Sequence, residues 1–512
     1  MKTWFVFIGL LVSGQLAAQG YLQEGLLFSR TSTPGTARTV GAGNAFGSVG
    51  ADMGSLSVNP AGIGLYRATD MSVTPAITIA NNEALFNGST KNQKSTRVSL
   101  NQAGIVFTKL FKQNNSSQFS FNSTRLQSFS FAVNYQRQSA FSRRQNFEGY
   151  NPNNSAMDVY AYYLNATQQP LSTDYYPVEL LMAYKAYMLN YDSTSGNYYS
   201  GIPSRVSQSG QVNKRGGIDQ VDFTLGGNLN DKFYFGAGLG IGILTYFDNS
   251  YFEEFPFSDT ATSWNGYTLQ TNLRTTGVGV NARFGFIYRP ASWVRVGLAY
   301  QIPTFYTVTE TYSASLNAGY DTAYFSFLAE ANPLTYRFRT PMKGTFSTSF
   351  YIKQHGFFSV DYEFLNFGVT RYIFGSNYKY FIKSINDDAR SAYTFGHNLR
   401  VGFEGAYKTL RVRTGYTYQS TPYKKDNQLK GFTEDRHSAS IGLGYRGQRF
   451  YADAAYVFGF TKDVMYPYAD FEVKNTLNTH TVLLTLGWRI SRDNTTKPAR
   501  KAKQAPPVDK SY

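Results

Sequence analysis

From residue 70 onward, apolar and polar side chains alternate with a period of two, and the alternation keeps returning. In Thr481 to Ile490, the residues Val482, Leu484, Leu486, Trp488 and Ile490 fall on one side, against Thr481, Thr485, Gly487 and Arg489. Phe233 to Ile243 sets Phe233, Phe235, Ala237, Leu239, Ile241 and Ile243 opposite Tyr234 and a glycine at every other even position. The split recurs at Val278, Val280, Phe284 and Phe286 against Asn281 and Arg283, at Phe358, Val360, Tyr362 and Phe364 against Asp361 and Glu363, and at Leu399, Val401 and Phe403 against Arg400 and Glu404. Successive side chains of a strand point to opposite faces, so each stretch predicts a strand with two unlike surroundings. A soluble sandwich, apolar side inward, predicts the same alternation, and periodicity alone leaves both readings open.

The connections separate them. About fourteen strands are predicted, centred near residues 75, 104, 131, 223, 239, 281, 296, 345, 361, 400, 414, 441, 454 and 484. Short turns at Asn230-Asp231, Arg289-Pro290-Ala291, Gln354-His355, Tyr407-Lys408-Thr409 and Gly447-Gln448, with Lys112 to Gln118 a little longer, alternate with long connections near 81–96, 139–216, 248–266, 303–333, 367–392, 421–435 and 461–476. An even strand number with tight turns at one rim and long loops at the other predicts an all-β transmembrane antiparallel barrel, since lipid offers no partner to an open sheet edge. Tyr300, Tyr407, Tyr418, Tyr445, Phe458 and Trp488 stand where interfacial aromatic girdles belong. Within the longest loop, 139–216, Ala156 to Asn165 and Val178 to Leu189 read as helices, the second with Pro177 at its start.

Composition agrees with this reading. Tyr and Phe occur 41 times each and Gly 46 times in 512 residues. There is no cysteine, which excludes disulfides and a lipid-modified N-terminus. Met1 to Ala18, with an apolar run from Trp4 to Val12 and small residues before Gln19, predicts a secretory signal over 1–18. The net charge of +16 raises the question of nucleic acid, but part of it lies in a basic tail, 491–512, read as a periplasmic extension, and no groove-reading motif accompanies it. Nucleic acid is therefore not an expected partner.

Between signal and first strand, residues 19–69 are rich in small and turn-forming residues: Gly41-Ala42-Gly43-Asn44-Ala45-Phe46-Gly47, then Asn59-Pro60-Ala61-Gly62-Ile63-Gly64. Pro60 fixes its own φ and pushes Asn59 out of the helical region, which favours a turn. Such a segment predicts a compact plug, a hatch inside the lumen of a barrel formed by 70–490. Thr36 to Gly47, then Asp52, then Asn59-Pro60-Ala61-Gly62 with Tyr66, resembles the hatch of the FadL-type outer-membrane transporters of long-chain fatty acids and other hydrophobic compounds. The resemblance is specific over roughly 25–75 and architectural over the rest. It implies a hatch-plugged barrel in the outer membrane of a Gram-negative bacterium, in contact with outer-membrane lipid. It also implies passive uptake of a hydrophobic small-molecule ligand and sideways exit at a kinked third strand. That strand reads Phe119 to Gln138, with Asn122-Ser123-Thr124-Arg125 as a candidate kink. By the same resemblance, Asn59, Pro60 and Ala61 form the hatch turn, and Leu26, Leu27, Phe28 and Phe46 are candidate ligand contacts.

The presumed lumen face carries Arg283, Arg295, Arg337, Arg339, Lys343, Arg400, Arg411 and Arg413 against Asp222, Asp361, Glu363, Glu404 and Asp453, with Asp52 as a clamp in the hatch. Two readings stay open: a cationic wall that guides a carboxylate headgroup, and a ladder of salt bridges that fixes the hatch. The four histidines show no metal-ligand spacing, and no nucleophile elbow or phosphate loop occurs, so neither a metal, a cofactor nor an enzyme is expected. The alternative function is a barrel of the same type with a structural or secretion-associated role, and an aqueous porin comes third.

Overall fold

The computed structural model describes residues 15–32, 34–111, 126–172, 176–257, 262–373, 379–428, 432–468 and 471–490. Its strands close into one antiparallel barrel of 14. In chain order they are β1 (Thr69–Phe86), β2 (Ser89–Leu110), β3 (Leu126–Ala140, continued by Arg143–Asn151), β4 (Val206–Leu229), β5 (Phe233–Pro256) and β6 (Trp264–Ala291). Then come β7 (Val294–Gln301, continued by Phe305–Tyr320), β8 (Tyr324–Glu330, Leu334–Arg339 and Lys343–Tyr351) and β9 (Gly356–Asn366 with Arg371–Ile373). The wall ends with β10 (Phe395–Tyr407), β11 (Leu410–Gln419), β12 (Arg436–Arg446), β13 (Phe450–Met465) and β14 (Val473–Ile490). Each centre read from the periodicity falls in a different strand. β14 pairs back onto β1 from Thr69↔Ile490 to Leu85↔Lys474, which closes the sheet into a barrel.

Exposure decides between barrel and sandwich. On β14, Val482, Leu484, Leu486, Trp488 and Ile490 are exposed while Leu483 and Thr485 are buried; on β5, Leu239, Ile241 and Ile243 are exposed while Leu244 and Tyr246 are buried. The apolar side is the outer one, which only a lipid solvent favours.

Several predicted loops are strand instead. The expected long connection at 81–96 is a two-residue hairpin turn, Asn87 (φ 42°) and Gly88 (φ 82°), with the β1–β2 ladder running up to Phe86↔Ser89. An Asn-Gly pair supplies the two positive φ angles such a turn requires. Large parts of 139–216, 248–266, 303–333 and 461–476 likewise prolong the strands. Above the bilayer the outer face meets water, the greasy-outward signature ends, and the strand becomes hard to see in the sequence. Three helices lie among these extensions: α4 (Ala156–Thr167) and α5 (Val178–Lys185), close to the expected positions, and α6 (Lys379–Ala392), which was not anticipated. The candidate kink at 122–125 and the tail 491–512 lie outside the described residues.

The barrel is filled in three layers. Lowest is the N-terminal segment with its short helices α2 (Ala37–Gly41) and α3 (Ser55–Val58) and the 3-10 turn Pro60–Leu65. Above it lies α1 (Gln15–Ser29), continuous across the expected cleavage point after Ala18. At the top, α4 and α5 bury Met157, Leu164, Leu180 and Met182 against Phe86, Phe147, Trp264, Tyr267, Leu316 and Phe471 of the strand extensions. The apolar faces of both loop helices are thus consumed in packing on the barrel mouth.

Candidate functional site

Residues 30–66 are held against the inner wall by backbone groups meeting inward polar side chains. Ala37 N donates to Thr485 Oγ1 (2.7 Å), Gly43 N to Ser440 Oγ (3.2 Å) and Gly47 N to Asp361 Oδ2 (2.9 Å), and Thr417 Oγ1 donates to Gly43 O (2.9 Å). The approach is so close that wall glycines are required: a Cβ at Gly402 would collide with the Ala42 carbonyl, and one at Gly415 with Gly43 N. Gly43 itself has φ 63° and a wall backbone pressed against its α-carbon, so no side chain fits there. This is the physical content of the glycine run.

Asn59 precedes the 3-10 turn Pro60–Leu65 and uses both ends of its amide. Its Oδ1 accepts from Ala61 N (3.0 Å), capping the 3-10 turn that Pro60 opens, and its Nδ2 donates to Gly47 O (2.7 Å) and Phe286 O (3.3 Å). Ala61 packs on Tyr234 and Ile287. Replacing Asn59 by Ala leaves Gly47 O and Ala61 N short of partners in a buried site; the expected cost is about 1–3 kcal/mol, read as a lower midpoint in detergent unfolding followed by heat-modifiable electrophoresis.

The charged residues form a chain of ion pairs. Arg38 of α2 grips Glu404 of β10 with two nitrogens (3.0 and 3.2 Å) and lies 3.8 Å from Asp52. Arg413 of β11 bridges Glu404 (2.6 Å) and Asp453 of β13 (2.7 Å), and Arg446 of β12 closes on Asp453 (2.9 Å). Burial works against the Arg38 charge, but Glu404 and then Asp52 outweigh it and hold its pKa above the ordinary value. Asp52 also accepts from Thr36 Oγ1 (2.7 Å) and Gly54 N (3.0 Å), so it ties the two halves of the segment together. Arg283 pairs with Asp222 and donates to Ser57 O (3.0 Å); Arg295 donates to Val49 O (2.8 Å) and lies over the Tyr351 ring; Arg400 pairs with Glu363 (2.9 Å). Of the two readings left open, the geometry is that of the ladder.

Three expected positions differ. Arg411, taken as a lumen charge, folds back onto the Lys408 and Leu410 carbonyls of its own turn, because it lies at the strand end below the segment. Arg337 is exposed and Arg339 half-exposed, while Tyr336 and Phe338 point inward. Here the strand has left the bilayer, and the sense of the alternation inverts. Of the candidate ligand contacts, Leu26, Leu27 and Phe28 lie together on α1, but Phe46 packs apart from them with Val49 and Phe357 under Arg38.

Around α1 the lumen wall is aromatic. Phe28 meets Phe141, Tyr246 and Phe338 at ring distances of 5.8, 5.7 and 6.1 Å, and Tyr21 meets Tyr336 and Tyr372 at 6.0 and 5.7 Å. Ile218, Leu244, Tyr306, Val308 and Ile385 complete this layer, and Leu26 packs on the other side with Leu365, Phe367 and Tyr393. None of these wall residues was singled out from the sequence; the inverted alternation above the bilayer hid them.

The wall is discontinuous beside this layer. β2 and β3 pair only from Gln102↔Gln136 to Leu110↔Ser128, and above that point each is paired on its other side alone. The β3 register slips between Arg137 and Ser139, higher than the kink read from the sequence. The N-terminal segment lies in the break: Ser32 N and Oγ donate to Gln138 O (3.0 and 2.8 Å), and Asn101 Nδ2 donates to Gly35 O (2.6 Å).

No protein-family profile matches the sequence, and no curated protein does. Solved structures match over nearly the whole chain. A FadL homologue of Pseudomonas aeruginosa has a TM-score of 0.53 at 12% identity, covering 90% of this chain and 99% of its own. The toluene transporter TodX of Pseudomonas putida has a TM-score of 0.50 at 12% identity, with the same coverages. A TodX variant described as a monoaromatic hydrocarbon channel has 0.51 at 11% identity, covering 91% and 100%. At this identity the likeness is one of fold, and the fold is the FadL type.

Proposed function

We propose that this FadL-type barrel is a passive outer-membrane transporter of hydrophobic small molecules, long-chain fatty acids or similar apolar compounds, and not an enzyme. Residues 30–66 serve as the hatch that prevents leakage. The observation that carries the reading is the apolar, aromatic layer around α1, set directly above the hatch. The lumen of an aqueous porin is polar; here Phe141, Leu244, Tyr306 and Phe338 face inward and bury the apolar side of α1. A ligand that displaces Tyr21 to Phe28 inherits that surface, and Leu26, Leu27 and Phe28 are the contacts it exchanges with. Exit is lateral, through the break between β2 and β3, because an apolar molecule released there meets lipid and not water. The similarity of fold to TodX supports the same reading.

The chain has no cysteine, so a single engineered pair is unambiguous. Ser32→Cys with Gln138→Cys spans two residues already joined by a backbone hydrogen bond, close enough for a disulfide. Oxidised, the variant is expected to take up radiolabelled oleate or toluene at least about tenfold more slowly than when reduced. Equal rates in both states mean that the β2–β3 break is not the exit. If neither compound enters the reduced or wild-type protein faster than it enters cells without the barrel, and native mass spectrometry finds no apolar molecule retained, the transport reading itself fails.

A further inference from the structure

Three of the four histidines share one arrangement on the outer surface. On β9 and β10, Tyr362 is hydrogen-bonded through its hydroxyl to His397 Nδ1 (2.7 Å); on β11 and β12, Tyr416 to His437 Nδ1 (2.7 Å); on β13 and β14, Tyr456 to His480 Nδ1 (2.8 Å). In each case the histidine lies directly opposite a second aromatic two residues beyond the tyrosine: Phe364↔His397, Tyr418↔His437, Phe458↔His480. The motif is thus repeated on three successive strand pairs. His355, in the exposed Gln354-His355 turn at the opposite rim, has no such partner.

The three pairs stand at one height. The ladder from Asn398 leads through Gln419 to Arg436, so His397 is level along the hydrogen bonds with Asp435, and His437 lies two residues nearer the periplasmic rim. From His437 the ladder leads through Phe460 to Asn478, and His480 again lies two residues nearer that rim. Strands tilted by about 40° require such an offset: crossing two strands changes height by roughly 6 Å, and two residues along a strand restore roughly 5 Å. Below this level the outer face is continuously apolar down to Tyr407, Tyr445 and Trp488, an extent of about 20–26 Å. The pairs therefore mark the extracellular edge of the hydrocarbon, where headgroups begin.

At that edge the pairing has a chemical consequence. A tyrosine hydroxyl that donates into Nδ1 leaves the imidazole proton on Nε2, the nitrogen turned away from the tyrosine. We propose that His397, His437 and His480 form a row of three Nε2–H donors that bind the phosphate of anionic outer-leaflet lipid, each tyrosine acting as a positioning residue that fixes the tautomer. Lys462, on the outer face of β13 above Tyr456, adds a cation beside the row, with its ammonium near the Phe460 and Phe432 rings. The acidic neighbour Asp435 is occupied, accepting from the Tyr418 hydroxyl (3.0 Å) and Thr421 N (2.7 Å).

The test uses the full chain in detergent with dioleoyl phosphatidic acid and dioleoyl phosphatidylcholine as competing probes, retained lipids being counted by native mass spectrometry. The wild type is expected to retain phosphatidic acid preferentially. Combined His397→Gln, His437→Gln and His480→Gln should reduce that preference about tenfold. Tyr362→Phe with Tyr416→Phe and Tyr456→Phe should reduce it partially, and His355→Gln not at all. Inorganic phosphate at millimolar concentration should not displace the lipid, since the site requires acyl chains on the apolar band below. Absence of preference in the wild type, an unchanged preference in the triple histidine variant that still migrates as folded barrel, or displacement by inorganic phosphate each overturns the proposal.

Discussion

Replacing Arg413 by alanine is expected to destabilise the protein by about 3–5 kcal/mol and to loosen the N-terminal segment from the wall. Arg413 is fully buried and, among the described residues, bridges Glu404 and Asp453. Its loss leaves Glu404 with Arg38 alone and Asp453 with Arg446 alone, two carboxylates deep in the lumen with part of their compensation gone. Arg413→Lys should recover less than half of the loss, because a point charge on a flexible stem cannot bridge both carboxylates as a planar guanidinium does. Urea unfolding in detergent, with limited proteolysis inside residues 30–66 as the second readout, measures both effects. A variant within about 0.5 kcal/mol of wild type, the range of ordinary surface substitutions, would show that the ion-pair chain does not secure the segment.

The second large effect is steric. Gly402→Leu places a side chain where the Ala42 carbonyl lies, and the obstacle is backbone on both sides, so no rotamer change relieves it. The segment must move away from β10 and β11, losing the Gly43 and Gly47 hydrogen bonds to Ser440 and Asp361 with it. The barrel ladder itself is untouched, so the variant should still insert and migrate as a folded barrel. With residues 30–66 unseated, the proposed hatch role requires single-channel conductance in planar bilayers to rise from near closure to that of an open pore. Gly405→Leu, on the same strand with room around its α-carbon, is the control that should stay closed. Closure of both would refute the view that residues 30–66 block the lumen.

How far the sequence led depends on where a residue lies relative to the bilayer. All the strand centres were legible, because a strand with lipid on one side and a packed lumen on the other repeats its pattern without exception. The turn at Asn59-Pro60-Ala61 was legible too, since that tripeptide and the glycine run demand tight turns and close approach whatever surrounds them. Outside the bilayer the same rules misled. The Asn87-Gly88 hairpin was read as a loop, since residues 89–97 meet water and carry no apolar face, and Arg337 and Arg339 were placed in the lumen where Tyr336 and Phe338 point instead. A pattern records contrast between two faces; it does not record which solvent supplies the contrast.

The sequence by itself determined where these strands lie and the small-residue turns that precede them, because those features follow from local periodicity and backbone sterics. Only the tertiary structure decided that Arg38, Glu404, Arg413, Asp453 and Arg446 form one chain, that β2 and β3 part above the Gln102↔Gln136 pair, and that three tyrosine–histidine pairs stand at one level. Each of these joins residues far apart along the chain, and their meeting is fixed by strand register and barrel tilt, which no local stretch of sequence encodes.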